Sequence, residues 1–85
     1  MPGNIPGKPN RKASQEIRWR LSQNLRRLRK ANGYTQRELS SLCGFSKTYI
    51  SNVEQGTVNI TLANLEALAR GLCCYEEDLV RKVPL

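Results

Sequence analysis

The stretch TQRELSSLCGFSKTYISNVEQG, residues 35–56, decides the fold of this 85-residue chain. Thr35 is a favourable N-cap residue, and Glu38 three positions later completes a capping box, so a helix is predicted to begin directly after Thr35. Leu39 and Cys43 are four residues apart and give this helix an apolar face. These features predict a first short helix with one buried side.

A tight turn is predicted after this helix. Gly44 stands where the chain must turn sharply, and glycine tolerates the left-handed backbone conformation that such turns use. Ser46 can cap a second helix, and Gly56 can end it. Ser40 is small enough to let the two helices cross closely. Two short helices joined in this way predict a helix-turn-helix.

The second helix has an unusual outer face. Its inward residues are predicted to be Ile50 and Val53. Almost all of its other side chains can form hydrogen bonds: Lys47, Thr48, Tyr49, Ser51 and Asn52. That layout is typical of a recognition helix, which enters the major groove of DNA with its N-terminal residues nearest the bases.

The stretch resembles the lambda-repressor/Cro-like (XRE-type) helix-turn-helix family of bacterial and phage regulators. The residues that fall in register with the family pattern are Gln36, Ser40, Gly44, Ile50, Val53, Glu54 and Gly56. The similarity extends from about residue 21 to residue 80, and KTYISNVEQGTVNIT is most similar to the controller proteins of restriction–modification systems. The resemblance implies an all-α, compact five-helix DNA-binding domain with the helix-turn-helix at helices 2 and 3.

Contacts with DNA bases are predicted for the outer face of the second helix. Lys47 can donate to guanine O6 and N7, and Thr48 can bind a base edge or touch a thymine methyl group. Tyr49 can stack on sugar or reach a base, and Asn52 suits adenine or phosphate. The resemblance implies that further residues hold the DNA backbone on either side: Thr35, Gln36, Arg37, Gln55 and Asn59.

Helix 1 is predicted to end in a cluster of cations. Its members are Arg26, Arg27, Arg29 and Lys30. Cations favour the negative end of a helix dipole, and a solvated face is the expectation for most of them. The resemblance places Arg29 opposite Glu54, where an ion pair would join helix 1 to the recognition helix. A phosphate contact is a second role for Arg29.

Charge is distributed unevenly along the chain. The net charge is +7, but residues 1–47 carry +9 whereas residues 48–85 carry −2. An asymmetry of this kind indicates a polyanionic partner on the basic side. The alternative explanation is a solvated helix face.

Length and cysteine content limit the other possibilities. Eighty-five residues make one small domain that buries roughly 60–65% of its unfolded surface, so a partner subunit would add stability. No apolar run approaches the ~20 residues of a membrane span, and no secretory signal is visible. Three cysteines, an odd number, argue for free thiols in a reducing cytoplasm.

Catalysis and cofactor binding are not expected. The chain has no His, no Gly-rich phosphate loop and no nucleophile with a plausible base. Cys73 and Cys74 are adjacent, which suits neither a metal site nor an ordinary disulfide. The run Glu76, Glu77, Asp78 could mimic a carboxylate site, but it is more simply the acidic first turn of helix 5. The sequence therefore predicts neither an enzyme nor a metal or cofactor.

The N-terminal end of the chain differs in composition from the rest. Residues 1–13 hold three prolines and two glycines within the first nine positions, so we predict a flexible basic tail there and a DNA-binding and dimerisation domain over residues 14–85. Ser14 is the predicted cap of helix 1, which would run to about Asn32. Its inward stripe is predicted to be Ile17, Leu21, Leu25 and Leu28. Trp19 would lie on the opposite side, partly exposed.

A fourth helix is predicted after the cap residue Thr61. Its inward residues would be Leu62, Leu65, Leu68, Ala69 and Leu72. The family often ends this helix with glycine where this chain has Cys73, so a left-handed backbone there would carry strain. Cys43 and Cys74 are predicted to be small core hydrophobes.

The last helix is predicted to form a dimer contact. Tyr75, Leu79 and Val83 recur every four residues, with Val80 adjacent, and Pro84 would end the helix. So small a domain cannot bury all of these residues internally, and the family uses its fifth helix in dimer contacts. A two-fold dimer implies pseudo-palindromic half-sites in the DNA.

The sequence therefore predicts a cytoplasmic transcriptional regulator that binds double-stranded operator DNA as a homodimer, with RNA polymerase as a further candidate partner. The controller protein of a restriction–modification system is the favoured subtype, although Val58 stands where controller proteins often carry Arg. The alternatives are the antitoxin of a toxin–antitoxin pair and a small phage or prophage repressor.

Overall fold

The structure is a computed structural model that describes residues 11–83, with side chains from residue 17 onward. These residues form five helices and no strand: α1 (Arg11–Ala31), α2 (Gln36–Cys43), α3 (Lys47–Glu54), α4 (Leu62–Leu72) and α5 (Glu76–Val80). The predicted all-α, five-helix domain is confirmed, with α2 and α3 forming the helix-turn-helix. Most of the predicted tail, and Pro84, lie outside the described residues. None of the described helices is long and apolar enough to cross a membrane.

Capping interactions set the ends of α2 and α3, as predicted. The hydroxyl of Thr35 accepts a hydrogen bond from the amide of Glu38 at 3.0 Å, and the amide of Thr35 donates to Glu38 Oε1 at 2.8 Å. Gly44 ends α2 with a φ of 78°. The hydroxyl of Ser46 then accepts from the amide of Tyr49 at 3.0 Å. Each capping hydrogen bond joins residues close in sequence, so local chemistry is enough to begin both helices and to turn between them.

The ends of α1 and α5 differ from the prediction. Helix α1 begins at Arg11, three residues before the predicted cap at Ser14. Helix α5 ends at Val80, so Val83 lies outside it. A helix of five residues is little more than one turn, and a stripe at i, i+4 and i+8 therefore cannot form on it.

Nine apolar residues of the described chain form the buried core. They are Leu21, Leu25, Leu39, Ile50, Val53, Leu68, Ala69, Leu72 and Leu79. Two residues predicted to face inward are instead exposed: Ile17, and Leu62 with 81% of its surface accessible. Helical side chains lean toward the N-terminus of their helix, so Leu62, the first residue of α4, has no earlier turn to cover. Ile17 lies one turn before Leu21, where the burial of α1 begins.

A buried asparagine holds the C-terminal end of α5. Asn24 of α1 donates from Nδ2 to the carbonyl oxygens of Leu79 at 3.1 Å and Arg81 at 2.9 Å. Its Oδ1 accepts a hydrogen bond from Arg27 at 3.0 Å. Asn24 thus satisfies carbonyl groups that a helix end leaves without partners. Arg27, which was expected to be merely solvated, supports this contact.

The cysteines have structural positions. Cys73 ends α4 in the left-handed conformation with a φ of 55°, so the strain expected for a residue other than glycine applies. Cys43 and Cys74 are half-buried against the core, and burial raises the pKa of both thiols. A Cβ atom added to Gly71 would overlap the sulfur of Cys43, so α2 and α4 pack closely at this point.

Candidate nucleic-acid interface

The C-terminal end of α3 is anchored by a buried carboxylate. Glu54 is 2% exposed. Arg29 of α1 donates two hydrogen bonds to it, from Nε to Oε2 at 2.6 Å and from Nη2 to Oε1 at 3.1 Å. This is the ion pair that the family resemblance implied. Arg29 also donates from Nη1 to the carbonyl of Tyr34 at 2.8 Å. A single guanidinium on α1 thus binds both α3 and the turn that precedes α2.

Two further side chains surround Glu54. Gln36 of α2 donates to Glu54 Oε1 at 3.0 Å, and Arg26 of α1 donates to the backbone carbonyl of Glu54 at 3.0 Å. Burial raises the pKa of the Glu54 carboxyl. The hydrogen bonds from Arg29 and Gln36, together with the charges of Arg29 and Arg26, outweigh that effect and hold the pKa below its ordinary value. The carboxylate is therefore ionised at neutral pH, and it ties three helices together.

Arg26 departs from its predicted role, and Gln36 has a protein contact that the sequence did not predict. Arg26 was expected to be solvated, but it is half-buried and bound to Glu54. The spacing could have indicated this, because Arg26 and Arg29 are three residues apart on α1 and so lie on one face. The side-chain nitrogen of Gln36 donates one hydrogen bond to Glu54. The other Nε2 proton and the backbone amide of Gln36 remain as donors for the predicted phosphate contact.

The N-terminal end of α3 is open to solvent. Lys47 and Thr48 are both exposed and directly follow the cap residue Ser46. Tyr49 and Asn52 are half-buried. Of the four predicted base-reading residues, two are thus fully presented at the surface, and two share their surface with the protein.

Tyr49 is held on two sides. Its ring lies against Phe45, with the ring centroids 4.7 Å apart and the planes tilted by 40°. Its hydroxyl oxygen accepts a hydrogen bond from Asn64 Nδ2 at 2.9 Å. This contact links α3 to the first turn of α4. The two residues are fifteen positions apart, and no local signal in the sequence indicated that they would meet.

The predicted phosphate-binding residues flank α3 along the chain. Thr35 and Arg37 lie at the start of α2, and both are exposed; Gln36 between them is half-buried. Gln55 and Asn59 lie in the loop after α3 and are also exposed. Polar side chains and free backbone amides at a helix N-terminus are the groups that bind phosphate oxygens. Their roles toward DNA stay predictions.

Leu79 is not available for a dimer contact. It is 0% exposed and lies in the core, because α5 packs against both α1 and α4 and Asn24 holds the Leu79 carbonyl. The prediction that Leu79 belongs to an exposed apolar stripe is therefore wrong. Tyr75 is 73% exposed, while Val80 and Val83 are half-buried and keep part of their surface accessible.

An apolar groove of about 360 Å³ lies where α1, the loop after α3, the first turn of α4 and the end of α5 meet. We call it the α4 groove. Its apolar lining residues are Ile17, Leu21, Val58, Ile60, Leu62, Leu65 and Val80. Val58, which stands where controller proteins often carry Arg, thus has a packing role in this chain. The sequence signal that could have indicated this groove was the pair of apolar residues Val58 and Ile60, on either side of Asn59 in the loop after α3.

Comparisons with known proteins identify the family. A family model described as helix-turn-helix matches residues 25–79, well over half of the chain. The Neisseria hypothetical transcription factor of Neisseria meningitidis is 41% identical over 64 residues, which are 73% of this chain and 60% of that protein. Control protein C.BamHI of Bacillus amyloliquefaciens is 32% identical over 68 residues, which are 79% of this chain and 84% of that protein.

A solved structure agrees with these relatives. The restriction-modification controller protein C.AhdI from Aeromonas hydrophila matches this fold with a TM-score of 0.71 and 35% identity. The match covers 73% of this chain and 94% of the C.AhdI chain. On the fold, the helix-turn-helix geometry and these similarities, the chain belongs to the XRE-type helix-turn-helix family of transcriptional regulators.

Proposed function

We propose that this protein is a sequence-specific DNA-binding regulator that recognises pseudo-palindromic operators as a homodimer, and that it is the controller protein of a restriction–modification system. The observation that carries DNA recognition is the contrast along α3. Glu54 at one end is buried and bound by α1 and α2, whereas Lys47 and Thr48 at the other end are exposed. A helix held in this way presents its exposed side chains to a major groove in a fixed orientation.

The charge distribution supports a nucleic-acid partner. Arg37 at the start of α2 and Lys47 at the start of α3 are both exposed and lie in the basic half of the chain. Cations at such positions release counterions from DNA on binding, and they supply most of the affinity that does not depend on sequence. We further propose that the protein acts in the cytoplasm, with no cofactor and no catalytic activity, and that RNA polymerase is a second partner.

Selection from a random pool of duplex DNA tests the main proposal. We expect the wild-type protein to enrich a sequence with two related half-sites, roughly 10 base pairs apart, and to bind it more tightly than random DNA at the same salt concentration. A protein that enriches nothing, or that binds every duplex equally, would refute sequence-specific regulation.

The controller assignment rests on similarity to C.BamHI and C.AhdI. It predicts that restriction and methyltransferase genes adjoin the gene for this protein. A neighbouring toxin gene, or a run of phage genes, would instead identify an antitoxin or a prophage repressor. Neither of those outcomes would affect the proposal of sequence-specific DNA binding.

The α4 groove is the surface that we propose for the homodimer, in place of Leu79. Leu62 projects at its rim with 81% of its surface exposed, while Leu65 and Val80 line it. A projecting side chain next to an apolar groove makes a self-complementary surface, because two copies related by a two-fold axis can each place Leu62 in the groove of the other. Tyr75 and Val83, on the adjoining segment, would extend the contact.

Changing Leu62 tests this surface. We expect Leu62→Glu to be monomeric in sedimentation at concentrations where the wild-type protein is a dimer, because a carboxylate would have to enter an apolar groove. Leu42→Glu is the matched control, since Leu42 is 53% exposed on α2 and outside the groove. Wild-type protein that sediments as a monomer at high micromolar concentration would contradict the dimer. Equal behaviour of the two variants would contradict the surface.

A further inference from the structure

The hydrogen bond between Asn64 and Tyr49 has a direction. Asn64 Nδ2 can only donate, so the Tyr49 hydroxyl oxygen accepts at 2.9 Å. A phenol hydroxyl carries one proton in addition to its acceptor lone pairs. With one lone pair occupied by Asn64, the proton must point elsewhere. None of the hydrogen bonds formed among residues 17–83 has the Tyr49 hydroxyl as its donor.

The phenol ring itself has little freedom to move. Phe45 lies against one of its sides at a centroid distance of 4.7 Å, and the Tyr49 amide is fixed by the Ser46 cap at 3.0 Å. The backbone of Asn64 is held at the start of α4, because its backbone amide donates to the hydroxyl of Thr61 at 3.0 Å. The donor proton of Tyr49 is therefore oriented before any partner arrives.

Tyr49 lies in the first turn of α3, directly after the exposed residues Lys47 and Thr48. The atoms that DNA presents to such a turn are acceptors: purine N7, guanine O6, thymine O4 and the phosphate oxygens. We propose that Asn64 is a positioning residue that keeps the Tyr49 hydroxyl as a hydrogen-bond donor to an acceptor on the DNA. Asn64 then influences recognition without touching DNA. This inference rests on the proposed DNA-binding function.

A double-mutant cycle tests the coupling. Tyr49→Phe removes the hydroxyl but keeps the ring, and Asn64→Ala removes the orienting amide. We expect each change to weaken binding to the selected sequence about fivefold, which is the value of one ordinary hydrogen bond. The affinity of the double variant should equal that of the single variant that binds less tightly, because both changes remove the same interaction. Effects that multiply, or an Asn64→Ala variant that binds as the wild type does, would overturn the proposal.

The polarity of the contact provides a second test. Asn64→Asp places an acceptor beside the phenol. The hydroxyl would then donate its hydrogen bond to Asp and would no longer donate to the DNA. We expect Asn64→Asp to weaken binding more than Asn64→Ala does when Tyr49 is present. In the Tyr49→Phe background only the repulsion between carboxylate and DNA should remain, so the difference between Asp and Ala should shrink. A difference that is the same in both backgrounds would count against the inference.

A matched control separates positioning from a loss of folding. Asn32→Ala removes an exposed side-chain amide at the end of α1, outside the proposed DNA and dimer surfaces, and we expect it to bind as the wild type does. All measurements are made well below the melting temperature of each variant, which circular dichroism provides. Binding effects that track the melting temperature, and disappear on cooling, would show a structural role only and would refute the proposal.

The comparison of DNA sequences identifies the acceptor. Losses on the selected sequence alone indicate a base edge, and equal losses on selected and random DNA indicate a phosphate oxygen; both outcomes support the proposed donor. A wild-type protein that selects no sequence would refute the regulator and this inference together. A wild-type protein that discriminates while Asn64→Ala changes nothing would refute this inference alone.

Discussion

The two ends of α3 are two helical turns apart, yet they differ in almost every physical respect. At the C-terminal end, Glu54 is buried, charged and bound by side chains from α1 and α2. At the N-terminal end, Lys47 and Thr48 are exposed. The difference indicates a division of labour within one short helix: the buried end fixes orientation, and the exposed end is free to contact a partner. Changes at the two ends should therefore have different consequences.

Removing Glu54 is expected to have the largest effect. Glu54→Ala leaves Arg29, whose side chain is 11% exposed, without its partner. Breaking a buried pair from one side costs about 3–5 kcal/mol of unfolding free energy. Chemical denaturation measures the loss, and Glu66→Ala on the exposed face of α4 is the control, expected within about 0.5 kcal/mol of the wild type. A Glu54→Ala variant as stable as the control would mean that the buried end anchors nothing.

Acid should produce a smaller version of the same loss. The pKa of Glu54 lies below its ordinary value of 4.5, so the unfolded chain binds this proton more readily than the folded chain does. The stability contributed by the charged carboxylate is present above about pH 4.5, and it is lost as the pH falls through the folded pKa. Unfolding experiments between pH 7 and pH 3 should therefore show a falling free energy. The fall in unfolding free energy should be less steep in Glu54→Gln than in the wild type. If the two proteins have the same pH profile, the ionised Glu54 carboxylate is not the source of the loss.

Arg37 tests the electrostatic part of binding. Arg37→Ala removes an exposed cation at the start of α2, so we expect the slope of log K against log[salt] to flatten by about one unit while sequence preference is retained. Arg70→Ala on α4 removes the same exposed charge away from the helix-turn-helix and should leave the slope unchanged. An unchanged slope for Arg37→Ala would remove Arg37 from the phosphate contacts.

The smallest effect on stability is expected for the exposed end of α3. Lys47→Ala removes a side chain that lies outside the core, so the unfolding free energy should stay within about 0.5 kcal/mol of the wild type. Denaturation under the conditions used for Glu54→Ala checks this. A loss of several kcal/mol would erase the distinction between the two ends.

The same contrast explains what could be predicted from the sequence. The caps at Thr35 and Ser46 and the turn at Gly44 act between residues close in the chain, and all three are present as expected. The buried stripe of α1 from Leu21 onward followed from helical periodicity. Local chemistry and the family resemblance together thus predicted the helix-turn-helix and the five-helix fold.

Tertiary contacts decided what could not be predicted. Asn24 binds carbonyl groups more than fifty residues away, and this contact accompanies the burial of Leu79 that removed it from the predicted dimer surface. Leu62 matched the helical pattern of α4, but it occupies the first position, where no turn precedes it. Apolar spacing identifies a helical face, but it does not indicate which neighbouring helix covers that face or where the cover ends.

The most direct test of the account is the ratio of affinities for selected and random DNA at fixed salt, measured for Lys47→Ala and for the matched exposed lysine variant Lys82→Ala. We expect Lys47→Ala to lose about 1–3 kcal/mol of binding free energy on the selected sequence and less on random DNA, so that the ratio falls, while Lys82→Ala keeps the ratio of the wild type. A Lys47→Ala variant with an intact ratio would contradict base reading by Lys47. Specificity would then have to come from Thr48, Tyr49, Asn52 or the shape of the DNA.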